Sequence, residues 1–419
     1  MKQKIIAIGM LIMLILITLS STVMATDMPD LEISSPSAIL VDANTGRVFY
    51  EKDADTKRYP ASTTKIMTAL LVLENVEDLQ QVATVSYDAV FSIPSGYATD
   101  LLKVGEELTI EELLYALLVK SSNEAAVVLA EYVAGSVDSF VSMMNTKAAE
   151  LGCNNTNFVN PNGVHDENHY TTARDLATIA REAMKNEDFK KFVSTASHTL
   201  PGTNKYERTD RSLVTTNDLI RKSSTNYYSY ATGIKTGFTT PAQNCLVAGA
   251  SHDGVDLIAV VLKTGDNERY QDAKTLFNYV YDNFGMKEIV KQNDTVQEIS
   301  VKNATKDTKN LKLLAKDNIQ ALVTNDKLKG LQQGEVTLNE DIKAPIAQGT
   351  VLGSIKYTID GIEYSTDLVA ANDVKASYTV QIMIGIVILL IVLYIIKRIA
   401  KPKKRKKRKK KSKYVSTMR

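Results

Sequence analysis

Residues 59–67 read Tyr-Pro-Ala-Ser-Thr-Thr-Lys-Ile-Met and lead into an apolar run that ends at Leu73. Pro60 favours an extended approach, because its ring excludes the preceding residue from the α region. The Ala, Met, Leu and Lys residues that follow are good helix formers, so Ser62 is predicted in the first turn of a helix. Residues three apart share a helix face, which brings the Lys65 amine over the Ser62 hydroxyl. Taken alone, the pattern also fits an exposed helix turn.

Charge is distributed unevenly along the 419-residue chain. The formal net charge is +2, but 14 of the 50 Lys and Arg residues lie in 397–419, a segment without acidic residues. Two more lysines lie in the first four residues, so 34 basic residues face 48 acidic ones in the remainder. An acidic body with a basic tail does not fit a uniformly basic nucleic-acid-binding domain. No nucleic-acid partner is therefore expected.

The N-terminus has the pattern of a secretory signal peptide over residues 1–25. Lys2 and Lys4 precede an apolar run, and small residues lead to a predicted cleavage site after Ala25. An uncleaved N-terminal anchor is the alternative, because the apolar run is long. Either interpretation places the body of the protein outside the cytoplasm.

The C-terminus has the pattern of a membrane anchor. Residues 378–396 contain no charged side chain, and they are long enough to span a bilayer core. The basic segment 397–419 follows at once, and positive charge stays on the cytoplasmic side. We therefore predict a single-pass protein of the cell membrane with an extracytoplasmic body and a cytoplasmic tail on anionic lipid headgroups. The alternative is a buried core helix.

Residues that bind metals are scarce. Cys153 and Cys245 are the only cysteines, and we expect two separately buried thiols. His165 and His169 lie four residues apart, but Asp-Glu-Asn between them indicates a loop instead of a helical metal motif. No metal and no cofactor are expected.

Strand-like segments flank a central block of helices. A turn reading Ala-Asn-Thr-Gly separates the apolar runs 38–42 and 47–51, which predicts a hairpin, and two more strands are predicted at 244–249 and 255–263. This arrangement predicts an α+β domain over 30–280, with helices packed on an antiparallel sheet. The predicted helices cover 108–119, 124–133, 140–151, 172–184 and 272–284.

The pattern changes after Met286. Short β-leaning segments alternate with Asn, Asp, Lys and Gly, which predicts a small all-β module over 287–372 that serves as a spacer or interaction module. The predicted strands lie within 294–302, 311–315, 318–323, 333–338 and 350–369.

Two further short motifs follow Ser62 and Lys65. Ser121-Ser122-Asn123 lies at a break between predicted helices, and Lys235-Thr236-Gly237 leads into a predicted strand. Ser-x-x-Lys, a Ser-x-Asn element and Lys-Thr-Gly together form the known signature of β-lactamases and penicillin-binding proteins. Their joint occurrence in this order, in one exported domain, is far less probable by chance than any one of them.

These motifs make the chain resemble a low-molecular-weight penicillin-binding protein of the serine-type D-Ala-D-Ala carboxypeptidase family. The resemblance implies a β-lactamase/transpeptidase-like catalytic domain, then the small all-β domain and the transmembrane helix. It also implies action on peptidoglycan stem peptides ending in D-Ala-D-Ala, with β-lactam antibiotics as acylating inhibitors. The matching stretches are 38–42, 60–67, 118–126, 158–163, 171–176 and 233–239.

The resemblance gives Ser62, Lys65 and Ser121 catalytic roles. A neutral serine is a weak nucleophile and needs a base beside it. Lys65 can be that base only if its pKa is lowered, which burial and the nearby Lys235 would promote. Ser121 is expected to relay a proton towards the leaving amine. An acyl-enzyme would form on Ser62, and water would release the shortened peptide.

The remaining motif residues are expected to bind the substrate. Asn123 would hold a substrate amide, and Lys235 with Thr236 would bind the terminal carboxylate. Gly237 would let the peptide lie against the strand. The backbone N–H groups of Ser62 and Phe238 would form the oxyanion hole.

Several alternatives stay open on the sequence. A second Lys-Thr-Gly at 263–265 follows a predicted strand and lacks the Gly-Ile that precedes the first. A Glu-x-x-Leu-Asn pattern at 335–339 resembles the deacylating element of class A β-lactamases, but it falls in the β module. A D,D-endopeptidase or β-lactamase would use the same site residues. A non-enzymatic wall-binding protein could keep the same fold.

Overall fold

The computed structural model describes residues 29–97, 102–207, 211–324 and 334–400. The chain forms two compact units: the first runs to residue 286 and includes a short segment from 322, and the second contains 287–321 and the chain from 330. The predicted signal peptide and most of the basic tail lie outside the described residues.

The first unit alternates strands and helices along the chain. Its elements are β1 (Ser37–Asp42), β2 (Val48–Lys52), α1 (Lys65–Asn75), β3 (Val82–Thr84), α2 (Tyr87–Phe91), β4 (Glu107–Thr109), α3 (Ile110–Leu118), α4 (Asn123–Ala134), α5 (Val137–Glu150), α6 (Ala173–Ala183), α7 (Glu187–Val193), β5 (Ser197–Leu200), β6 (Arg211–Val214), β7 (Ala231–Thr239), β8 (Gln243–His252), β9 (Val255–Thr264) and α8 (Glu268–Asn283). Strand β10 (Phe284–Val290) follows at the boundary between the units.

The central sheet of this unit is antiparallel, with strand order β2-β1-β9-β8-β7. Both of its faces are covered. Ile39 and Val260 contribute to the core beneath the helical block, whereas Leu40 and Val261 contribute to a second core with Phe277 of α8. Because successive side chains in a strand point to opposite faces, strands buried on both sides read as continuous apolar runs. Strand β7 is left at the edge of the sheet.

Helix α1 lies in the centre of the helical block. Its first eight residues are all buried, so the whole circumference of the helix faces protein. A 3-10 turn, Ala61–Thr64, precedes it. Ser62 therefore lies in this 3-10 turn and not, as predicted, in the first turn of the α-helix. The residue before it, Ala61, has a left-handed backbone with a φ of 49°. Thr63 Oγ1 stabilises the turn by donating to Pro60 O at 2.7 Å.

The Lys-Thr-Gly motif lies inside β7, whereas the sequence predicted it just before a strand. The strand begins at Ala231, and the register with β8 shifts between Ala231 and Gly233. Gly233 and Ile234 have φ of 108° and 87°, which marks a bulge at this point. The bulge explains why the alternation of polar and apolar residues did not reveal this part of the strand.

The second unit is a β module followed by an apolar helix. Its elements are β11 (Thr295–Ser300), β12 (Asn310–Ala315), the first half of β13 (Ile319–Thr324), β14 (Glu335–Leu338), β15 (Val351–Ile359), β16 (Ile362–Ala370) and α9 (Thr379–Ile399). The sheet order is β11-β12-β16-β15-β14. Within α9, Gln381–Ile399 is long and apolar enough to cross a membrane, and none of it is buried. The predicted fold class, α+β followed by a small all-β domain and an apolar C-terminal helix, is confirmed.

Candidate active site

Ser62 and Lys65 are in direct contact. Lys65 Nζ donates to Ser62 Oγ at 2.9 Å, to Asn123 Oδ1 at 2.9 Å and to Asn162 O at 2.5 Å. The Lys65 side chain is fully buried. Three acceptors thus fix the amine beside the hydroxyl, which is the geometry that a nucleophile and its base require.

The environment of Lys65 favours its neutral form. Its pKa is lowered well below the ordinary value, first because burial disfavours the ammonium ion and second because Lys235 adds a like charge. The Glu124 carboxylate opposes this shift. Once neutral, the amine has a lone pair that can accept the proton of the Ser62 hydroxyl.

The Ser-Ser-Asn motif divides into two functions. Ser121 has a left-handed backbone, φ 67°, and its side chain lines the cleft that contains Ser62. Ser122 instead caps α4, since its Oγ accepts from Ala125 N at 3.1 Å and donates to Glu124 Oε2 at 3.0 Å. Asn123 begins the helix and contacts Lys65. The break between α3 and α4 therefore directs the first and third residues of the motif into the site.

The edge strand β7 forms the opposite wall of the site. Lys235 is almost fully buried, and its Nζ donates to Thr236 O at 3.0 Å. Burial, with a contribution from Arg269, lowers the pKa of Lys235 to about 7. A hydrogen bond of 2.5 Å joins the hydroxyls of Thr236 and Thr216. Thr216 and Thr236 line the cleft together with Arg269, whereas Lys235 is not among its lining residues. Cationic and hydroxyl groups at this end of the cleft suit an anionic group of a ligand.

A cleft of about 510 Å³ lies between these walls. Phe238 is exposed at its rim, with 61% of its surface accessible. Gly237 packs against the Ser62 turn, because a Cβ at this position would lie 3.1 Å from Ser62 N. The lining residues are Ser62, Ser121, Thr216, Thr236, Gly237, Phe238, Asn244, Asp266 and Arg269.

The structure also brings together residues that the sequence analysis missed. Asn162 contributes its backbone carbonyl to Lys65, so its side-chain type carries no signal for this contact. Thr216 and Arg269 enter the cleft from a loop and from α8. Arg269 donates to Asn244 Oδ1 at 3.0 Å and to Asp266 Oδ1 at 2.7 Å. Thr216 and Arg269 lie outside the matching stretches, whereas Asn162 lies within the stretch 158–163 but was given no role.

A buried histidine supports the nucleophile turn. His169 Nδ1 accepts from Val159 N at 3.2 Å, which assigns the ring proton to Nε2. Nε2 then donates to Thr64 Oγ1 at 2.8 Å, and Thr64 Oγ1 donates to Ala61 O at 2.8 Å. This chain of hydrogen bonds ties the residue before Ser62 to the loop that contains His169.

The two cysteines are not among the residues that line the cleft. Cys153 and Cys245 are buried free thiols, as predicted. Burial raises the pKa of Cys153 to about 12 and that of Cys245 to about 11, which disfavours the reactive thiolate form of both. Among the residues that the structure describes, no cluster of His, Cys, Asp and Glu could hold a metal ion.

The two competing motifs lie outside the cleft. Lys263 lines a different cavity, and Gly265 of the same motif faces the Glu268 side chain. Glu335 begins β14 in the second unit.

Comparison with known proteins identifies the family. Residues 22–266, more than half of the chain, match the D-alanyl-D-alanine carboxypeptidase family, peptidase S11. The chain belongs to this family. Residues 284–376 match the C-terminal domain of penicillin-binding protein 5. The predicted resemblance to low-molecular-weight penicillin-binding proteins is therefore confirmed, as is the class of enzyme, a serine-type D-Ala-D-Ala carboxypeptidase.

Individual relatives agree with this assignment. The chain is 33% identical to D-alanyl-D-alanine carboxypeptidase DacF of Bacillus subtilis (strain 168), over 82% of this chain and 86% of that protein. The crystal structure of a peptidoglycan synthesis regulatory factor (PBP3) from Streptococcus pneumoniae superposes with a TM-score of 0.70 and 27% identity, covering 82% of this chain and all of that one. A D-alanyl-D-alanine endopeptidase of Escherichia coli (strain K12) is 31% identical over 62% of this chain and 82% of that protein.

Proposed function

We propose that this protein removes the terminal D-alanine from peptidoglycan stem pentapeptides through an acyl-enzyme on Ser62. One observation carries the proposal: Ser62 lines a cleft bounded by the edge strand β7, and the fully buried Lys65 amine lies 2.9 Å from its Oγ. A peptide can add to such an edge by backbone hydrogen bonds.

Acylation begins with proton transfer from Ser62 to Lys65. The Ser62 oxygen attacks the carbonyl carbon between the two D-alanines. Hydrogen bonds from the backbone N–H groups of Ser62 and Phe238 stabilise the negative charge that develops on the carbonyl oxygen. The proton then reaches the amine of the departing D-alanine through Ser121. The C–N bond breaks, and the shortened peptide stays esterified to Ser62. Water later hydrolyses the ester.

Substrate binding uses the opposite wall of the cleft. Lys235 and Thr236 bind the terminal carboxylate, and Arg269 with Thr216 adds donors beside them. Asn123, whose side chain also contacts Lys65, holds a substrate amide, and Gly237 allows the peptide to lie close to β7. Charge-assisted hydrogen bonds of this kind explain a requirement for a free C-terminus.

The test is release of D-alanine from a D-Ala-D-Ala peptide by the full-length protein. The Ser62→Ala variant is expected to release none and to form no covalent adduct with labelled penicillin. Ser142→Ala, which removes an exposed hydroxyl on α5, serves as the matched control and should keep both activities. Release that persists in Ser62→Ala at the wild-type rate would refute the mechanism.

Two related activities use the same groups. The endopeptidase relative supports cleavage of crosslinked peptides as a second candidate, which a crosslinked dimeric peptide would test. A β-lactamase would turn penicillin over quickly. We expect instead a long-lived adduct on Ser62, since the Glu-x-x-Leu-Asn pattern belongs to the second unit.

The same proposal covers the organisation of the chain. Residues 30–280 form the catalytic domain and 287–372 the β module, after a signal peptide at 1–25. Residues 378–396 cross the cell membrane and 397–419 stay in the cytoplasm, because the lysines that follow α9 oppose translocation. Deletion of residues 379–419 should move penicillin binding from the membrane fraction to the soluble fraction. Retention in the membrane would contradict the anchor.

A further inference from the structure

A second cavity of about 280 Å³ lies beside the turn that carries Ser62. Its walls come from four segments of the first unit: the chain just before Pro60, the loop before α6, the turn between β7 and β8, and the end of β9. The residues that line it are Lys57, Arg58, Tyr59, Glu167, Tyr170, Pro241, Ala242 and Lys263.

Direct contacts hold these walls together. Arg58 and Thr171 exchange two backbone hydrogen bonds, of 2.8 Å and 2.9 Å. The Cys245 thiol contacts Tyr59 O at 3.6 Å and Ala242 O at 3.8 Å, which joins the first wall to the turn between β7 and β8. The cavity is therefore part of the folded unit next to the nucleophile.

The cavity carries more positive than negative charge. Lys57, Arg58 and Lys263 face one acid, Glu167. Lys57 Nζ lies 4.1 Å from the centre of the Tyr170 ring, and Arg58 Nε donates to a serine hydroxyl at 2.9 Å. Across the described ranges, none of these three cations forms an ion pair with a carboxylate. Three like charges gathered in one cavity attract an anionic ligand.

The inference rests on the proposed function, because that function determines which part of a substrate would reach this cavity. With the terminal carboxylate at Lys235 and the reacting carbonyl at Ser62, the remainder of the peptide continues past Phe238. Pro241 lies in the turn that follows β7, at the end of the strand towards which the peptide continues. Two extended peptide residues reach roughly 7 Å in this direction, and a side chain of glutamate size adds to that reach.

We propose that this cavity binds a carboxylate carried by the stem peptide two residues before its D-Ala-D-Ala unit. Lys57 and Lys263 supply the charge, and Tyr170 holds the Lys57 ammonium group in place by a cation–π contact. The cavity thereby makes the enzyme selective for acidic stem peptides, a property that the cleft at Ser62 does not itself confer.

The test compares three synthetic peptides with the full-length protein in detergent. The first is acetyl-Glu-(Nε-acetyl)Lys-D-Ala-D-Ala, and the second replaces Glu by Gln. The third, diacetyl-Lys-D-Ala-D-Ala, ends before the cavity. The readout is the ratio of kcat/KM for the Glu peptide to that for the Gln peptide. We expect a ratio of roughly ten at low salt, from two partly exposed charge contacts, and a smaller ratio at high salt.

Substitutions in the cavity should change this ratio alone. Lys57→Gln and Lys263→Gln should each lower it about threefold, and the double variant should bring it close to one. Lys57→Glu should favour the Gln peptide. Lys185→Gln is the matched control, because Lys185 lines a different cavity. That cavity includes Asp256 near the start of β9, whereas Lys263 lies near the end of the same strand. It should leave the ratio unchanged.

The outcomes separate this inference from the proposed function. A wild-type ratio of one, or an unchanged ratio in the double variant, overturns the inference while release from the short peptide continues. A general loss of activity in a variant lowers kcat/KM for both peptides and so cancels from the ratio. The rate of acylation by penicillin, which lacks the upstream residues, measures that general loss independently. Failure of the proposed function would instead abolish release from all three peptides.

Discussion

The Cα atom of Gly237 lies so close to the nucleophile turn that a Cβ atom there would stand 3.1 Å from the backbone nitrogen of Ser62. The same Cβ would lie 2.9 Å from Pro60 O and 3.1 Å from Thr63 N. All three neighbours are backbone atoms, which cannot rotate away. The width of the gap between β7 and Ser62 therefore depends on the absence of a side chain at residue 237.

Gly237→Ala is expected to push β7 away from the Ser62 turn. Acylation by a fluorescent penicillin should slow by roughly 10- to 100-fold, because small displacements of reacting groups cost about this much. The melting temperature should fall by only a few degrees, roughly the effect of one overpacked methyl group. Gly265→Ala is the control, since its Cβ would meet only the end of the exposed Glu268 side chain. Equal effects of the two variants would contradict this explanation.

The pH dependence of acylation should depend on the charge of Lys235, because that charge changes the pKa of Lys65. The positive charge of Lys235 lowers the pKa of Lys65, and only neutral Lys65 can accept a proton. Lys235→Gln removes that charge and leaves burial as the main cause, so the pKa of Lys65 should rise.

The acidic limb of the rate profile should therefore move to higher pH in Lys235→Gln. Acylation rates measured from pH 5 to 10 would show the shift, whatever the loss in overall rate. Lys185→Gln, a surface lysine in the same unit, should leave the limb in place. An unshifted limb in Lys235→Gln would mean that Lys65 does not control the profile.

Arg269 should act on the terminal carboxylate and on no other part of the substrate. The guanidinium group lies in the cleft and is held by Asn244 and Asp266. Arg269→Gln is expected to lower kcat/KM for a D-Ala-D-Ala peptide by about 100-fold, the size of one lost charge-assisted contact of 2–3 kcal/mol. A peptide with a C-terminal amide should be a poor substrate for both proteins, with rates that differ by less than about threefold. A similar loss on both peptides would indicate damage to the fold.

The sequence predicted the elements that depend on local pattern. Helix α4 and strands β8 and β9 were found because their apolar residues recur at regular spacing, and the three motifs were found because each is short and contiguous. Strands β3 and β4 were missed, since three residues are too few to show a period. The α+β fold class could be predicted from the order of such elements alone.

Contacts between distant segments could not be read in the same way. Asn162 reaches Lys65 with a backbone carbonyl, which any residue type could supply. Arg269 enters the cleft because β9 returns the chain beside β8 before α8 begins, a consequence of sheet order. The cations of the second cavity come from residues near 58 and 263, far apart in the chain. Only the tertiary fold brings such groups together.

His169 should make the free energy of unfolding of the first unit fall at acidic pH. Burial is the main cause that lowers the pKa of His169 from 6.5 to about 4, with His165 and Lys65 adding to the shift and Asp166 opposing it. Between these two pH values the unfolded chain binds a proton that the folded protein does not bind. Stability is therefore fully present above pH 6.5 and is lost as the pH falls towards 4, by about 3 kcal/mol in total.

Replacing this histidine should remove that part of the acid sensitivity. His169→Gln keeps an N–H group for Thr64 but does not titrate, so its free energy of unfolding should fall less between pH 7 and pH 4.5 than that of the wild type. Urea unfolding at both pH values measures the difference, and carboxylates contribute equally to both proteins. His252→Gln, at a half-buried ring near the β8–β9 turn, should behave as the wild type. The same loss of stability in His169→Gln and wild type would show that folding does not lower the pKa of His169.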